Sequence, residues 1–318
     1  MSNYEFFQHV RRLITNSRTS PDLVPPFHLH SRKPVARNIA RALGNHNGPA
    51  LNCARRIRAE KKSMLAPETL AAIYSAAAEC DGPIIEIGAY VGGATLAILD
   101  ATRVRGNTVI SIEFGVAYDH PEIATADSVA DLLRNVESWG LSGERHIVLP
   151  GWTLEAWVVG NILIGLSGAR ADMLVVDSDG FAERDFLFLH PLLNDGAILV
   201  FDDYVSSANA KSDKIAPFVD DMLEKTIITE FGLLPWGTWF GQLKRRPSSS
   251  EIAPYVAKWR HARWPWIDFL DLQRREQHLA RAKELKVPLL PFQFTTVDDT
   301  REMSRTEELA AYAQVKAK

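Results

Sequence analysis

Two apolar runs in the middle of this sequence end in paired acids. They are Met173-Leu-Val-Val176 followed by Asp177-Ser178-Asp179-Gly180, and Ala197-Ile-Leu-Val-Phe201 followed by Asp202-Asp203-Tyr204. If both runs are neighbouring buried strands, Asp177, Asp179, Asp202 and Asp203 meet in one small region. Carboxylates crowded together repel unless a proton or a cation stands between them. An all-oxygen donor set suits a hard divalent ion, Mg²⁺ foremost, held through a few carboxylates, waters and substrate oxygens. The alternative is a metal-free cluster in which Asp202 or Asp203 caps the following segment.

A second chemical feature lies upstream, in Ile84-Ile-Glu86-Ile-Gly88-Ala89-Tyr90-Val-Gly92-Gly93-Ala94. An apolar run carries a carboxylate and then breaks into a glycine loop that leads toward a helix. Glycines let the backbone turn tightly and approach a ligand with no Cβ in the way. The N–H groups of a helix beginning near Ala94 suit an anionic group. The spacing differs from the Gly-x-Gly-x-x-Gly dinucleotide fingerprint. Glu86 can alternatively hold the loop by accepting from its N–H groups. Glu113 ends the next apolar run, where an acid can accept both ribose hydroxyls of an adenosine; a solvated strand-end acid is the alternative.

The elements that must position these residues alternate. Pro67–Cys80 has helical spacing, and apolar strands follow at Ile84–Ile87, Thr108–Ile112, His146–Leu149, Met173–Val176 and Ala197–Phe201. Asp127–Trp139 and a stretch around Asp185–Leu193 read as helices between them, and Ile227–Leu234 with Thr238–Arg245 as a closing hairpin. Continuous apolar strands joined by helices imply a doubly wound, Rossmann-like α/β fold, a mostly parallel sheet covered on both faces. Such sheets bind ligands outside the carboxyl ends of their strands. Upstream, Pro34–Leu43 and Cys53–Lys62 read as short basic helices separated by a turn; downstream, Ile267–Lys286 reads as a charged helix and Ser304-Arg-Thr-Glu307 as a capping box opening a last one. The expected organisation is a basic helical arm or lid over 1–66, a core over 67–246 and a helical extension over 247–318.

With 318 residues and 46% hydrophobic content, the chain can bury a substantial core. It reads as a cytoplasmic protein: no secretory pattern opens it, and Ala156–Leu166 is too short to span a bilayer. Cys53 and Cys80 offer neither a disulfide framework nor metal spacing. The net charge of −3 conceals +9 over residues 1–66, −14 over 67–246 and +2 over 247–318. A basic arm on an acidic core is expected to dock on it, or to act as a lid recruiting an anionic small molecule. Nucleic acid is a poorer partner, since no reading module accompanies the charge. His28, His30 and His190 read as packing or surface residues. Trp259, Trp264, Trp266 and Phe269 read as tail packing, with a substrate wall or a contact between copies as alternatives.

The Glu-x-Gly-x-x-x-Gly loop resembles motif I of the class I S-adenosylmethionine-dependent methyltransferases. The paired acids resemble the metal-assisted small-molecule O-methyltransferases within that class, the macrocin-type or methyltransferase-24-like group. The resemblance spans about residues 67–246. It implies a seven-stranded sheet with an antiparallel last strand, and S-adenosylmethionine held by Glu86, Gly88, Ala89, Tyr90, Gly92, Glu113, Trp152 and Asp177. It further implies a divalent metal on Asp177, Asp202 and Asp203, and Asp179 with Asp177 as catalytic carboxylates. The reaction would be in-line attack of a substrate hydroxyl on the sulfonium methyl. Two departures stand out. Trp152 replaces the acid that usually meets the adenine amino group, and either walls the adenine or packs in the core. Gly180 replaces a polar residue near the catalytic base. Both leave room for metal-independent N- or C-methylation, or for a noncatalytic nucleotide-binding or assembly role on the same scaffold.

Overall fold

The computed structural model describes residues 28–29, 33–153, 155–205, 211–234, 237–261, 277 and 280–286. The aromatic residues Trp264, Trp266 and Phe269, the capping box at 304–307, His30 and most of the expected tail helix lie outside them; so does the side chain of Trp259.

A sheet organises the chain. Its strands are β1 (His28–Leu29), β2 (Ile84–Ile87), β3 (Val109–Glu113), β4 (His146–Pro150), β5 (Ala171–Val176), β6 (Leu193–Phe201), β7 (Ile228–Leu233) and β8 (Trp239–Leu243). Their spatial order is β1-β7-β8-β6-β5-β2-β3-β4, with β6, β5, β2, β3 and β4 parallel and β8, β7 and β1 added antiparallel. The seven expected strands are all present, including the antiparallel closing hairpin. The two-residue β1 is the addition: it pairs with Gly232 and Leu233 and covers part of an otherwise open edge.

The helices are α1 (Pro34–Gly44), α2 (Pro49–Ala59), α3 (Pro67–Ala77), α4 (Gly93–Thr102), α5 (Ser128–Ser138), α6 (Ala156–Leu166), α7 (Ala182–Leu189), α8 (Ser212–Glu224) and α9 (Ser249–His261). Pro34, Pro49 and Pro67 each open a helix, where a missing N–H costs nothing. The second basic helix therefore starts at Pro49, four residues earlier than Cys53. Asp127 caps α5 by accepting from the Ala130 N–H at 2.9 Å.

Strand alternation decides which face each residue serves. Ile84, Val109, Val148 and Val175 join a core with α1 to α5, through Ile39, Ile57, Leu70, Leu96 and Leu132. Ile85, Ile87, Ile110, Ile112 and Leu174 face the other way, onto Val158, Phe186 and Phe218 of α6, α7 and α8. Each fully buried side chain of this kind is worth roughly 1.5–3 kcal/mol, so the two cores fix the sheet between its helical layers. Among the described residues no helix is long and apolar enough to cross a membrane. Cys53 and Cys80 are buried and unpaired, and burial pushes both thiols up to about 12.

The described part of the basic arm docks on this frame. The Arg56 guanidinium stacks 3.9 Å from the Trp139 ring, Arg58 pairs with Glu122 at 2.5 Å, and Lys62 donates to Asn135 at 2.6 Å.

Candidate active site

The sheet order reverses beside β2, where β3 lies on one side and β5 on the other. The crevice that opens at such a reversal is the expected ligand site, and here the glycine loop and the acids meet in it. Two adjoining cavities fill it, of about 390 and about 420 Å³. They share Met64, Gly88, Tyr90, Tyr118, Asp177 and Lys211 as lining.

The loop after β2 is built by its neighbours. Gly88 sits at φ +80°, and a Cβ there would stand 1.8 Å from the Asp177 carbonyl oxygen. Gly92 occupies the left-handed region at φ +97° as the residue before α4. Tyr90 takes φ +52°, a strained value for an aromatic residue. It is held there by its N–H donating to Glu113 Oε2 at 2.6 Å and its hydroxyl donating to the Ile123 carbonyl at 2.5 Å. Gly93 packs under Ser63, whose Cβ would lie 2.3 Å from an added methyl. The glycines thus serve backbone packing as well as a turn. Ala89 lines the first cavity.

Glu86 is fully buried on the α4 face of β2. Its Oε2 accepts from Thr95 Oγ1 at 2.6 Å and Ser111 Oγ at 2.8 Å, while Oε1 has no hydrogen-bond partner among the described residues. Desolvation pushes its carboxyl up to about 7, against the pull of the two hydroxyls. It lines the first cavity, so the orphaned oxygen sits where a cationic ligand group would satisfy it. Of the loop N–H groups, that of Tyr90 turns instead to Glu113, which is buried and also accepts from Gly115 N–H at 3.2 Å and Ser128 Oγ at 2.7 Å, while those of Gly88 and Gly92 donate to the Ile112 and Ala89 carbonyls.

Glu113 lines the second cavity together with Phe114 and Trp152. Those two rings lie 4.9 Å apart at 31°. Trp152 is half-buried, and its N–H donates to Glu155 Oε1 at 3.2 Å, which anchors the turn after β4.

Asp177, Asp202 and Asp203 come together: one carboxylate oxygen from each lies within 4.8 Å of the others. Burial at the strand ends pushes Asp177 up to about 6, where Lys211 opposes the rise and Asp203 adds to it. Asp202 is raised well above the ordinary carboxylate range by burial, then by Asp177 and Asp203, although Thr238 Oγ1 donates to it. Asp203 adopts φ +57°. The donor set fits a hard divalent cation by its chemistry. A cation of the chain itself already reaches it: Lys211 Nζ is 3.0 Å from Asp203 Oδ2 and 3.9 Å from Asp177 Oδ1. Burial opposes the ammonium, but the two aspartates outweigh it and raise Lys211 above its ordinary range.

Asp179 is placed differently. Both its oxygens receive Arg184, Nη1 at 2.7 Å and Nη2 at 3.1 Å. Arg184 is buried and also reaches Asp185 at 3.1 Å, which Thr153 and Ser178 bind in turn. Asp179 lines the second cavity but is not part of the acid trio.

Lys211, Arg184, Tyr118 and Thr238 are among the lining residues that the sequence does not single out. His190 is buried and bonds the Phe186 and Leu187 carbonyls at 3.1 Å, a packing role.

Residues 85–204 match the family model Methyltransf_24, described as a methyltransferase domain. No curated protein matches the chain. Similar solved structures include the S-adenosylhomocysteine-bound methyltransferase PaMTH1 from Podospora anserina, at 18% identity and TM-score 0.42 over 77% of this chain and 97% of that one. Another is the O-methyltransferase TomG from Streptomyces achromogenes, involved in tomaymycin synthesis and solved with S-adenosylmethionine, at 15% identity and TM-score 0.44 over 66% and 99%. The matched segment runs from β2 to the end of the β6 acid pair, the stretch that carries the glycine loop, Glu113 and the trio: over these residues the chain is similar to a methyltransferase domain.

Proposed function

We propose that the protein transfers the methyl group of S-adenosylmethionine to a hydroxyl of a small molecule. The observation that carries this reading is the meeting of two cavities at Asp177, one lined by Glu113 and an aromatic pair, the other by an acid trio. In this reading the nucleoside occupies the second cavity. Glu113 takes the ribose hydroxyls, and Trp152 with Phe114 provides an apolar wall for the adenine. The amino-acid end passes the Gly88–Gly92 loop toward Glu86, whose unpartnered Oε1 accepts from its ammonium.

The acceptor hydroxyl then lies in the first cavity, beside the trio. Methyl transfer forms one C–O bond and breaks one S–C bond, leaving S-adenosylhomocysteine, the methyl ether and a proton. With no metal bound, Asp177 is suited to take that proton, because a carboxyl near 6 is better matched to proton transfer at neutral pH than an ordinary aspartate; as a ligand of a divalent ion it would instead be held ionised. Asp179, committed to Arg184 through both oxygens, serves here as an anchor of the loop after β5 rather than as the base. Asp177, Asp202 and Asp203 would hold a divalent ion, which when bound would polarise the acceptor hydroxyl and lower its pKa. Binding and orientation of the two reactants remain the work of the chain. The docked basic arm adds Lys62 to the first cavity, which favours an acceptor with anionic character.

Calorimetric titration with S-adenosylmethionine tests the reading, followed by a panel of small hydroxyl acceptors with and without Mg²⁺. Micromolar cofactor binding and a methyl ether product are expected. A folded sample that binds no S-adenosylmethionine would remove the proposal.

A further inference from the structure

Gly180 and Lys211 fit together in a way that bears on the acid trio. Gly180 sits at φ +90°, and a Cβ there would stand 2.9 Å from Lys211 Cβ and 3.0 Å from Lys211 Cα. The bare glycine leaves a notch after β5, and the Lys211 stem fills it from the segment after β6. From that seat the side chain reaches inward, its Nζ 3.0 Å from Asp203 and 3.9 Å from Asp177. It lines both cavities and is about one-third exposed, so it has a route out to solvent.

We propose that Lys211 is a built-in competitor for the cation position of the trio, so that a divalent ion binds only by displacing the lysine from Asp177 and Asp203. The inference rests on the methyl-transfer reading above and concerns its regulation. Two positive charges cannot share three carboxylates at contact distance without strong mutual repulsion, so the ammonium and the metal exclude one another. The resting protein holds its trio closed on its own side chain. A divalent ion, arriving alone or with the acceptor oxygen, exchanges for the lysine and frees Lys211 toward the rim of the cavities. Metal affinity is therefore set by the lysine as much as by the three acids. The lysine dampens occupancy by whichever cation is abundant until a substrate oxygen adds its own ligation.

The test needs no acceptor molecule. Mn²⁺ binding to the full chain is measured by electron paramagnetic resonance, and S-adenosylmethionine binding by calorimetry on the same samples. Lys211→Met is expected to bind Mn²⁺ about tenfold or more tightly than the parent, a change that Asp202→Asn in the same background abolishes. Lys211→Arg keeps the charge and should stay at the parent level, which separates loss of charge from loss of packing against Gly180. Equal Mn²⁺ affinity in the parent and Lys211→Met, or no Mn²⁺ binding by either, overturns the proposal. If the parent binds S-adenosylmethionine in such a case, only the role of Lys211 is lost; if it does not, the methyl-transfer reading beneath it falls as well.

Discussion

The Asp177 carbonyl oxygen occupies the space that a side chain on Gly88 would need, 1.8 Å from the position of its Cβ. The end of β5 is thereby clamped against the turn after β2, and the carboxylate of Asp177 is aimed by a contact made through its own backbone.

That contact sets the first prediction. Gly88→Ala meets both a left-handed φ and a backbone oxygen that cannot move aside, and should cost roughly 3 kcal/mol or more of stability. Gly140 also has positive φ, at +65°, but no heavy atom within 4 Å of a Cβ. Gly140→Ala should cost only about 1 kcal/mol. Urea denaturation of the two variants would separate them, and equal losses would argue against the clamp.

Glu86 should trade stability against cofactor binding. Its folded value of about 7 lies above the ordinary 4.5. The native state therefore holds the proton more tightly than the unfolded chain. The stabilisation is complete below about pH 4.5 and is lost as pH rises through about 7. Glu86→Gln cannot ionise, so near pH 8.5 it should be more stable than the parent by about 3 kcal/mol, with the gap closing toward pH 4.5. The same variant should bind S-adenosylmethionine at least about tenfold more weakly, since an amide cannot supply the charge. Thermal unfolding across pH and calorimetry at pH 8 check the two halves separately.

Trp152 and Glu113 make distinguishable contributions to the second cavity. Trp152→Ala should weaken S-adenosylmethionine by about 1–3 kcal/mol with little change in melting temperature, and Trp152→Phe should keep most of the affinity. Glu113→Ala removes the acceptor for Tyr90, Gly115 and Ser128 together. It should lower both affinity and melting temperature. A purely ligand-side effect of Glu113→Ala would contradict its place as the brace of the glycine loop.

The Arg184 cluster predicts a structural hierarchy. Asp185 is fully buried beside a buried guanidinium, whereas the Asp179 side chain is 40% exposed. Asp185→Ala should cost about 3–5 kcal/mol by leaving Arg184 short of charge, and Asp179→Ala markedly less. Chemical denaturation gives the order; the reverse order would move the burden of holding Arg184 to Asp179.

The strands were legible because buried parallel strands leave mostly apolar runs, and Ile84–Ile87, Val109–Glu113 and Ala171–Val176 do so with only Glu86, Ser111, Glu113 and Asp172 as polar members. The acids were legible because each closes such a run. The trio's meeting follows from the sheet order, which places β5 beside β6. What escaped was non-local. Lys211 belongs to no periodic pattern, and its importance comes from a notch at Gly180, thirty-one positions away. Arg184 looks like an ordinary residue of α7 until Asp179 and Asp185 are seen to converge on it. Helix α8 carries Pro217 in its interior, a residue that argues against helix in sequence. The role of Glu86 depended on which neighbours claimed the loop N–H groups, and these went to Glu113 and to the Ile112 and Ala89 carbonyls.

The first cavity takes its walls from distant parts of the chain. Lys62 to Ala66 form one side, while Asp202, Asp203 and Thr238 form another, and Gly93 is kept bare so that Ser63 can settle on it. The matched methyltransferase segment begins only at residue 85, after that first wall. On the proposed reading, exchanging the stretch around residues 62–66 would remodel the space offered to the acceptor while meeting the nucleoside side only at Met64. Acceptor choice and cofactor use would then be largely separable inheritances in a molecule built this way.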